Sequence, residues 1–185
     1  MFLNFIPGYA KRDPSNLAIG ATASATSEMD GNPAANVVDG AIRTLPDRDG
    51  DIVNIIEDDG VKHVTHAPKG PSRGWVSNPH SPLPQSVIVR LAEPREASEV
   101  RVVFDSDFFL PRVWVHHTVP TTLVRSYRIE TSRDGIAWEP VAEVSRNVRR
   151  LAVHKFTPCK ILAIRVTVDE TYGDASARIF EIGLW

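Results

Sequence analysis

The sequence predicts an all-β protein, a sandwich or a barrel, on three observations. The dominant hydrophobic period is two rather than 3.6. Short β-rich runs recur at regular spacing with turn residues between them. Fourteen prolines and eleven glycines among 185 residues leave little room for long helices.

The elements follow in order. Gln85–Leu91 alternates and ends at Glu93-Pro94. Ser98–Phe104 alternates again, with Val100, Val102 and Phe104 on one face, because successive strand side chains point to opposite sides. Leu123–Thr131 sets Val124, Ser126 and Arg128 opposite Arg125, Tyr127 and Ile129. Trp138–Val144, Leu151–Phe156, Ile161–Val168 and Arg178–Leu184 complete the set. Ser132-Arg133-Asp134-Gly135 is a hairpin turn, since Asp-Gly readily adopts positive φ. Pro158 falls between two runs, as a turn or edge residue does. Helix is confined to a turn around Pro33–Asn36. There is no internal repeat.

Composition bounds the class. With 42% hydrophobic and 24% charged residues, the chain has the make-up of one globular domain long enough to bury its own core. Lys plus Arg is 21 and Asp plus Glu is 23, so the net charge of −2 lacks the footprint of a general nucleic-acid binder. One cysteine makes neither an internal disulfide nor a Cys-rich zinc site. No run approaches the roughly 20 apolar residues of a membrane span, and disorder and coiled coil are excluded. The opening Met1–Gly8 lacks the charged start, apolar length and cleavage site of a secretory signal. The expectation is a cytoplasmic protein if the chain is complete, and otherwise the compartment of a parent protein.

Two segments depart from the strand pattern. Residues 45–73 hold an acidic stretch (Asp47, Asp49, Asp51, Glu57, Asp58, Asp59) followed by a Pro/Gly/His-rich tract, and read as a long loop insertion. Residues 105–122 place Phe108, Phe109, Arg112, Trp114, His116 and His117 between two strands. Residues 1–14 are expected to be an N-terminal extension or linker, and 15–185 the domain.

Asn16-Leu17-Ala18, Ala21–Ser27, Pro33–Gly40 and Thr44 resemble the opening of a discoidin, or coagulation-factor C-type, domain of the galactose-binding-like superfamily. Gly74-Trp75-Val76-Ser77 is similar to that family's next landmark, and Gln85–Leu91, Ser126–Trp138 and Ile179–Gly183 match its later strands in order. The resemblance spans about residues 15 to 185 and implies an eight-stranded jelly-roll β-sandwich. Pro7–Ala18, Phe104–Asp107 and Thr118–Tyr127 more weakly resemble the C-terminal module of bacterial FAD-dependent oxidoreductases. No Gly-x-Gly-x-x-Gly of a flavin fold occurs here.

The resemblance also implies a structural Ca²⁺ tying the first loop to the last strand. The matching positions are Asp39, Thr44 and Glu181, with backbone carbonyls such as that of Asn36. Carboxylates, a hydroxyl and carbonyls suit a hard cation that takes six to eight oxygens. Ala41 stands where such members often carry Asn or Asp. The alternative is a plain Asp39-Gly40 turn with Glu181 as a surface strand residue. Asp47-x-Asp49-x-Asp51 superficially resembles an EF-hand, but Ile52 occupies the position that needs glycine, so a solvated acidic loop is expected.

For a sugar, an aromatic face meets the apolar side of the ring and charged or amide groups meet the hydroxyls. Arg112, Trp114, His116 and Tyr172 are the right types on predicted loops, with Asn32 and Asp30 on the first loop. Packing competes: Phe108, Phe109 and Trp114 can cap the core, with Arg112 paired to Asp105 or Asp107. His116 and His117 are strand neighbours and cannot both face one metal. His63, His66 and Cys159 carry no accompanying motif; the histidines are expected to be solvated and the thiol to sit in a turn. Arg146, Arg149, Arg150 and Lys155 form a run with no acid between 145 and 160, as a solvated hairpin face or a contact for an anion or acidic partner.

No nucleophile elbow, phosphate-binding loop or zincin helix is present. The expected function is a non-catalytic module recognising a galactose-type carbohydrate, with no organic cofactor. The alternative is an accessory domain that contacts a flavoenzyme partner domain of the same polypeptide.

Overall fold

The alternating runs become strands in the computed structural model, which describes residues 13–40, 74–106 and 119–185 together with the backbone of 52–58 and 61–66. In chain order these are β1 (Thr22–Ala25), a 3-10 helix (Ala34–Val38), β2 (Ile52–Asp58), β3 (Val61–His66), β4 (Trp75–Val76), β5 (Gln85–Phe104), β6 (Val124–Ser132), β7 (Glu139–Val144), β8 (Leu151–Thr171) and β9 (Arg178–Leu184). All the pairings are antiparallel.

Two long strands organise the sandwich. The first part of β5 pairs with β1 and with residues 163–168 of β8, whose other edge carries β6 and then β7. The last part of β5 pairs with residues 151–155 of β8 and, on its other side, with β9, which β4 extends. Counting each half of β5 and β8 as a strand gives a five-stranded layer facing a three-stranded one, β4 apart. Between the halves, Ala92–Glu96 are exposed where both flanks of β5 are largely buried.

Inward side chains of both layers form one core: Val87, Val89, Tyr127, Ile129, Ile164, Val166 and Val168 meet Val100, Val102, Phe104, Ile179, Ile182 and Leu184. Each such fully buried aliphatic side chain contributes about 1.5–3 kcal/mol. Phe104 and Tyr127 touch across the layers, ring centroids 4.9 Å apart. Burial pushes the Tyr127 phenol up to about 12, and its hydroxyl lies 3.0 Å from Nε2 of His154.

The expected hairpin turn is present. Gly135 has φ +79°, its N–H donates to Ser132 Oγ, and Asp134 Oδ1 accepts from the N–H groups of Ile136 and Ala137. Gly74 is needed for close approach, because a Cβ there would lie 2.8 Å from the Ile179 carbonyl oxygen.

The structure differs from expectation in three places. Residues 45–73 are not all loop: β2 and β3 form an antiparallel pair within them. Their Ile and Val content favours a strand despite the flanking acids. Gln85–Leu91 and Ser98–Phe104 are one strand, as are Leu151–Phe156 and Ile161–Val168. Cys159 therefore lies in β8 opposite Ala97, half-buried, and not in a turn.

Candidate functional site

At one end of the sandwich the strand order brings together residues 26–33, 77–84 and 172–177, the loop 145–150 between β7 and β8, and both described ends of the β5–β6 connection, 105–106 and 119–123. Hydrogen bonds centred on Asn147 tie the 145–150 loop to the start of β6 and to residues 172–177. Its buried Nδ2 donates to the carbonyls of Val124 (2.8 Å) and Arg149 (2.9 Å), and its Oδ1 accepts from the Arg149 N–H (2.9 Å). The Asn147 N–H donates to the Arg125 carbonyl, and the Asn147 carbonyl accepts from the Tyr172 hydroxyl at 2.8 Å. Tyr172 N–H and Asp174 N–H then bind the carbonyls of Leu123 and Thr121. Nothing in the sequence pattern singled out Asn147; only its donor-and-acceptor chemistry on a loop hinted at such a role.

The charges at this end are unevenly spent. Arg125 pairs with Glu170 at 3.1 Å, and Arg178 with Asp174 at 2.9 Å. Arg150 is 6% exposed, its guanidinium carbon 5.2 Å from the Phe180 ring centroid, so it does not belong to a solvated face. Arg146 and Arg149 are exposed. Two buried hydroxyls here, Ser106 Oγ and Thr122 Oγ1, have no hydrogen-bond partner among the described residues, a departure from ordinary satisfaction that tends to mark a site or a water position.

Of the residues expected to touch a ligand, Tyr172 lies at this end, half-buried, with its hydroxyl engaged by Asn147. Asn32 also belongs to this end but is 3% exposed, and its Nδ2 donates to the Gly74 carbonyl at 2.8 Å. That corrects the expectation of an open loop contact: Asn32 packs the approach to the fully buried Trp75, whose Nε1 donates to the Ser27 carbonyl. Asp30 is exposed. Arg112, Trp114, His116 and His117 lie outside the described residues, as do Phe108 and Phe109.

The cation positions divide in the same way. Glu181 is 6% exposed on β9 and accepts from Asn16 Nδ2 at 3.0 Å, so it is not a surface strand residue. Burial holds its carboxyl above the usual range; the Asn16 hydrogen bond opposes this, and the charges of Asp39 and Asp13 add to it. Asp39 follows the 3-10 helix directly. Asn36 Nδ2 donates to the Gly74 carbonyl at 3.2 Å. Thr44 and the acidic stretch 47–51 lie outside the described residues. Among the described residues no three His, Cys, Asp or Glu side chains group as a metal site. No described helix is long and apolar enough to cross a membrane.

A comparison with protein-family models finds no match, and a comparison with curated proteins finds none either. Solved structures do match. CpGH89CBM32-5 from Clostridium perfringens, in complex with GalNAc-β-1,3-galactose, is 18% identical with a TM-score of 0.63, covering 92% of this chain and 99% of that one. The family 32 carbohydrate-binding module of C. perfringens NanJ, in complex with galactose, is 22% identical with a TM-score of 0.59, over 88% and 91%. The family 32 module of Streptococcus pneumoniae EndoD is 17% identical with a TM-score of 0.62, over 92% and 99%. The chain thus shares the β-sandwich fold of these modules, the architecture that the resemblance implied.

Proposed function

We propose that the chain is a non-catalytic carbohydrate-binding module that takes a galactose-type glycan at the loop end of the sandwich. The observation that carries this is the Asn147-centred knot, which holds Tyr172 and the 145–150 loop in fixed relation on a rigid two-layer scaffold. Loops on such a scaffold suit recognition without transformation. The likeness to modules solved with galactose and GalNAc-β-1,3-galactose supports the ligand class. No observation favours the accessory domain of a flavoenzyme. Calorimetric titration with galactose-type sugars tests the proposal: saturable heat that Tyr172→Ala diminishes is expected, and silence across a glycan panel refutes it.

The Ca²⁺ belongs to the same proposal, and the burial of Glu181 within reach of the Asp39 charge supports it. A buried Glu181 whose proton affinity is raised by burial and by neighbouring carboxylates is relieved by a hard cation. Asp39 and Glu181, with the Asn36 carbonyl and Thr44, would hold it. Bound there, the cation would neutralise the carboxylates and fasten the segment after the 3-10 helix to β9. Asn16 orients Glu181, because its Oδ1 is fixed by the N–H groups of Ala18 and Leu184 while its Nδ2 faces the carboxylate.

A further inference from the structure

The loop between β7 and β8 carries two exposed guanidinium groups, on Arg146 and Arg149, that no described carboxylate meets. Arg95, Arg101, Arg125, Arg128, Arg133, Arg165 and Arg178 each face a carboxylate at ion-pair distance. Among the described residues, Arg146 and Arg149 face none, and both are exposed; Arg90 and Lys160 are likewise exposed without one, but lie midway along β5 and β8, away from this loop. Glu170 and Asp174, the carboxylates on the adjoining strand end and loop, are engaged by Arg125 and Arg178. No Asp or Glu occurs between Ser145 and Lys160.

These two side chains are also presented from a fixed base. They flank Asn147, which is buried and bonded to Val124, Arg149 and Tyr172. Their backbone is thereby held beside Tyr172, an aromatic residue at this end that faces partly to solvent. A guanidinium presents a planar fork of donors that matches a carboxylate or sulfate two bonds at a time. A neutral sugar hydroxyl uses only part of that fork.

Resting on the carbohydrate reading above, we infer that the glycan taken at this end is acidic, bearing a carboxylate or a sulfate, and that Arg146 and Arg149 are its contacts. The charge left on this loop is then the complement of a ligand charge, and Tyr172 serves the sugar ring beside it.

Calorimetry on the full chain tests this with digalacturonate and galactose 6-sulfate against neutral digalactose and galactose, at low and at physiological salt. At least one acidic sugar should bind about tenfold tighter than its neutral counterpart, the two arms separating carboxylate from sulfate. That preference should shrink as salt rises. Arg149→Gln and Arg146→Gln should each remove most of it while leaving the melting temperature and neutral-sugar affinity in place, since neither side chain holds the loop. Neutral sugars binding as tightly as acidic ones would overturn the inference and leave the carbohydrate reading standing. An acidic preference that survives in the double variant would overturn the assignment of the two arginines. Silence with every sugar, acidic and neutral, would sink the carbohydrate reading and the inference together.

Discussion

Replacing Asn147 by alanine measures how much the loop end depends on one side chain. The substitution deletes three hydrogen bonds at 2.8–2.9 Å, two donated by Nδ2 and one accepted by Oδ1. Each is worth about 1 kcal/mol net, and a buried carbonyl left unpaired costs about 1–3 kcal/mol. Asn147 is 5% exposed, so water replaces few of these contacts, and a loss of about 3 kcal/mol is expected. For a chain of this size each kcal/mol lowers the melting temperature by about 2–4 °C, which gives a fall of about 6–12 °C by calorimetry or circular dichroism. Asn147→Asp keeps the acceptor but sets a carboxylate oxygen against two carbonyls, so it should fall at least as far. A melting temperature within about 1 °C of the parent for Asn147→Ala would show that the three segments are held by something else.

Gly74→Ala should destabilise by about 1–3 kcal/mol, read from the denaturation midpoint, because its Cβ would press on the Ile179 carbonyl in the β4–β9 pair. His154 should make stability depend on pH. Burial holds its imidazole below the ordinary 6.5, so the unfolded chain takes up the proton first. Stability is then intact above about pH 6.5 and declines as pH falls from there toward the lower folded value. A His154→Gln variant, which does not titrate, should flatten that limb in denaturation series from pH 8 to 5. Chelator should lower the melting temperature of the parent, while Asp39→Ala should remove the sensitivity; a parent indifferent to chelator would take the cation out of the site.

The parts of the fold legible in the sequence are those set by neighbouring residues. Val100, Val102 and Phe104 share a face because alternation is local, and Asp134-Gly135 turns because the side-chain oxygen and the permissive glycine are adjacent. Continuity of β5 and β8 was hidden because Pro94 and Pro158 look like breaks. Both are exposed, and both fall where the β5–β8 register skips, Pro94 between Arg90 and Arg95 and Pro158 opposite the step from Ala97 to Glu99. A proline costs no ladder hydrogen bond at such an irregularity, so the strand runs on through it. Asn32 and Glu181 show the converse. Each sits where a loop or an alternating pattern suggests exposure, and each is buried by partners far along the chain, Gly74 for one and Asn16 for the other.

The basic run from Arg146 to Lys155 shows why charge read along a chain underdetermines a site. Lys155 points outward from β8, 80% exposed and 3.7 Å from Glu99, an ordinary surface pair worth little. Arg150 turns inward beneath Phe180. Arg146 and Arg149 lie on either side of a buried asparagine that fixes their backbone, and of the four only these two keep their charge outward without a described carboxylate to meet it. Four residues of one sign thus divide into a surface pair, a packed guanidinium and a presented pair, by strand alternation and by one side chain's hydrogen bonds. The division is physical: a charge becomes available to a ligand only when its backbone is held and its partners are elsewhere. The knot at Asn147 and the exposed arginines are therefore one device, and loosening the first should weaken acidic-sugar binding even with both guanidinium groups intact.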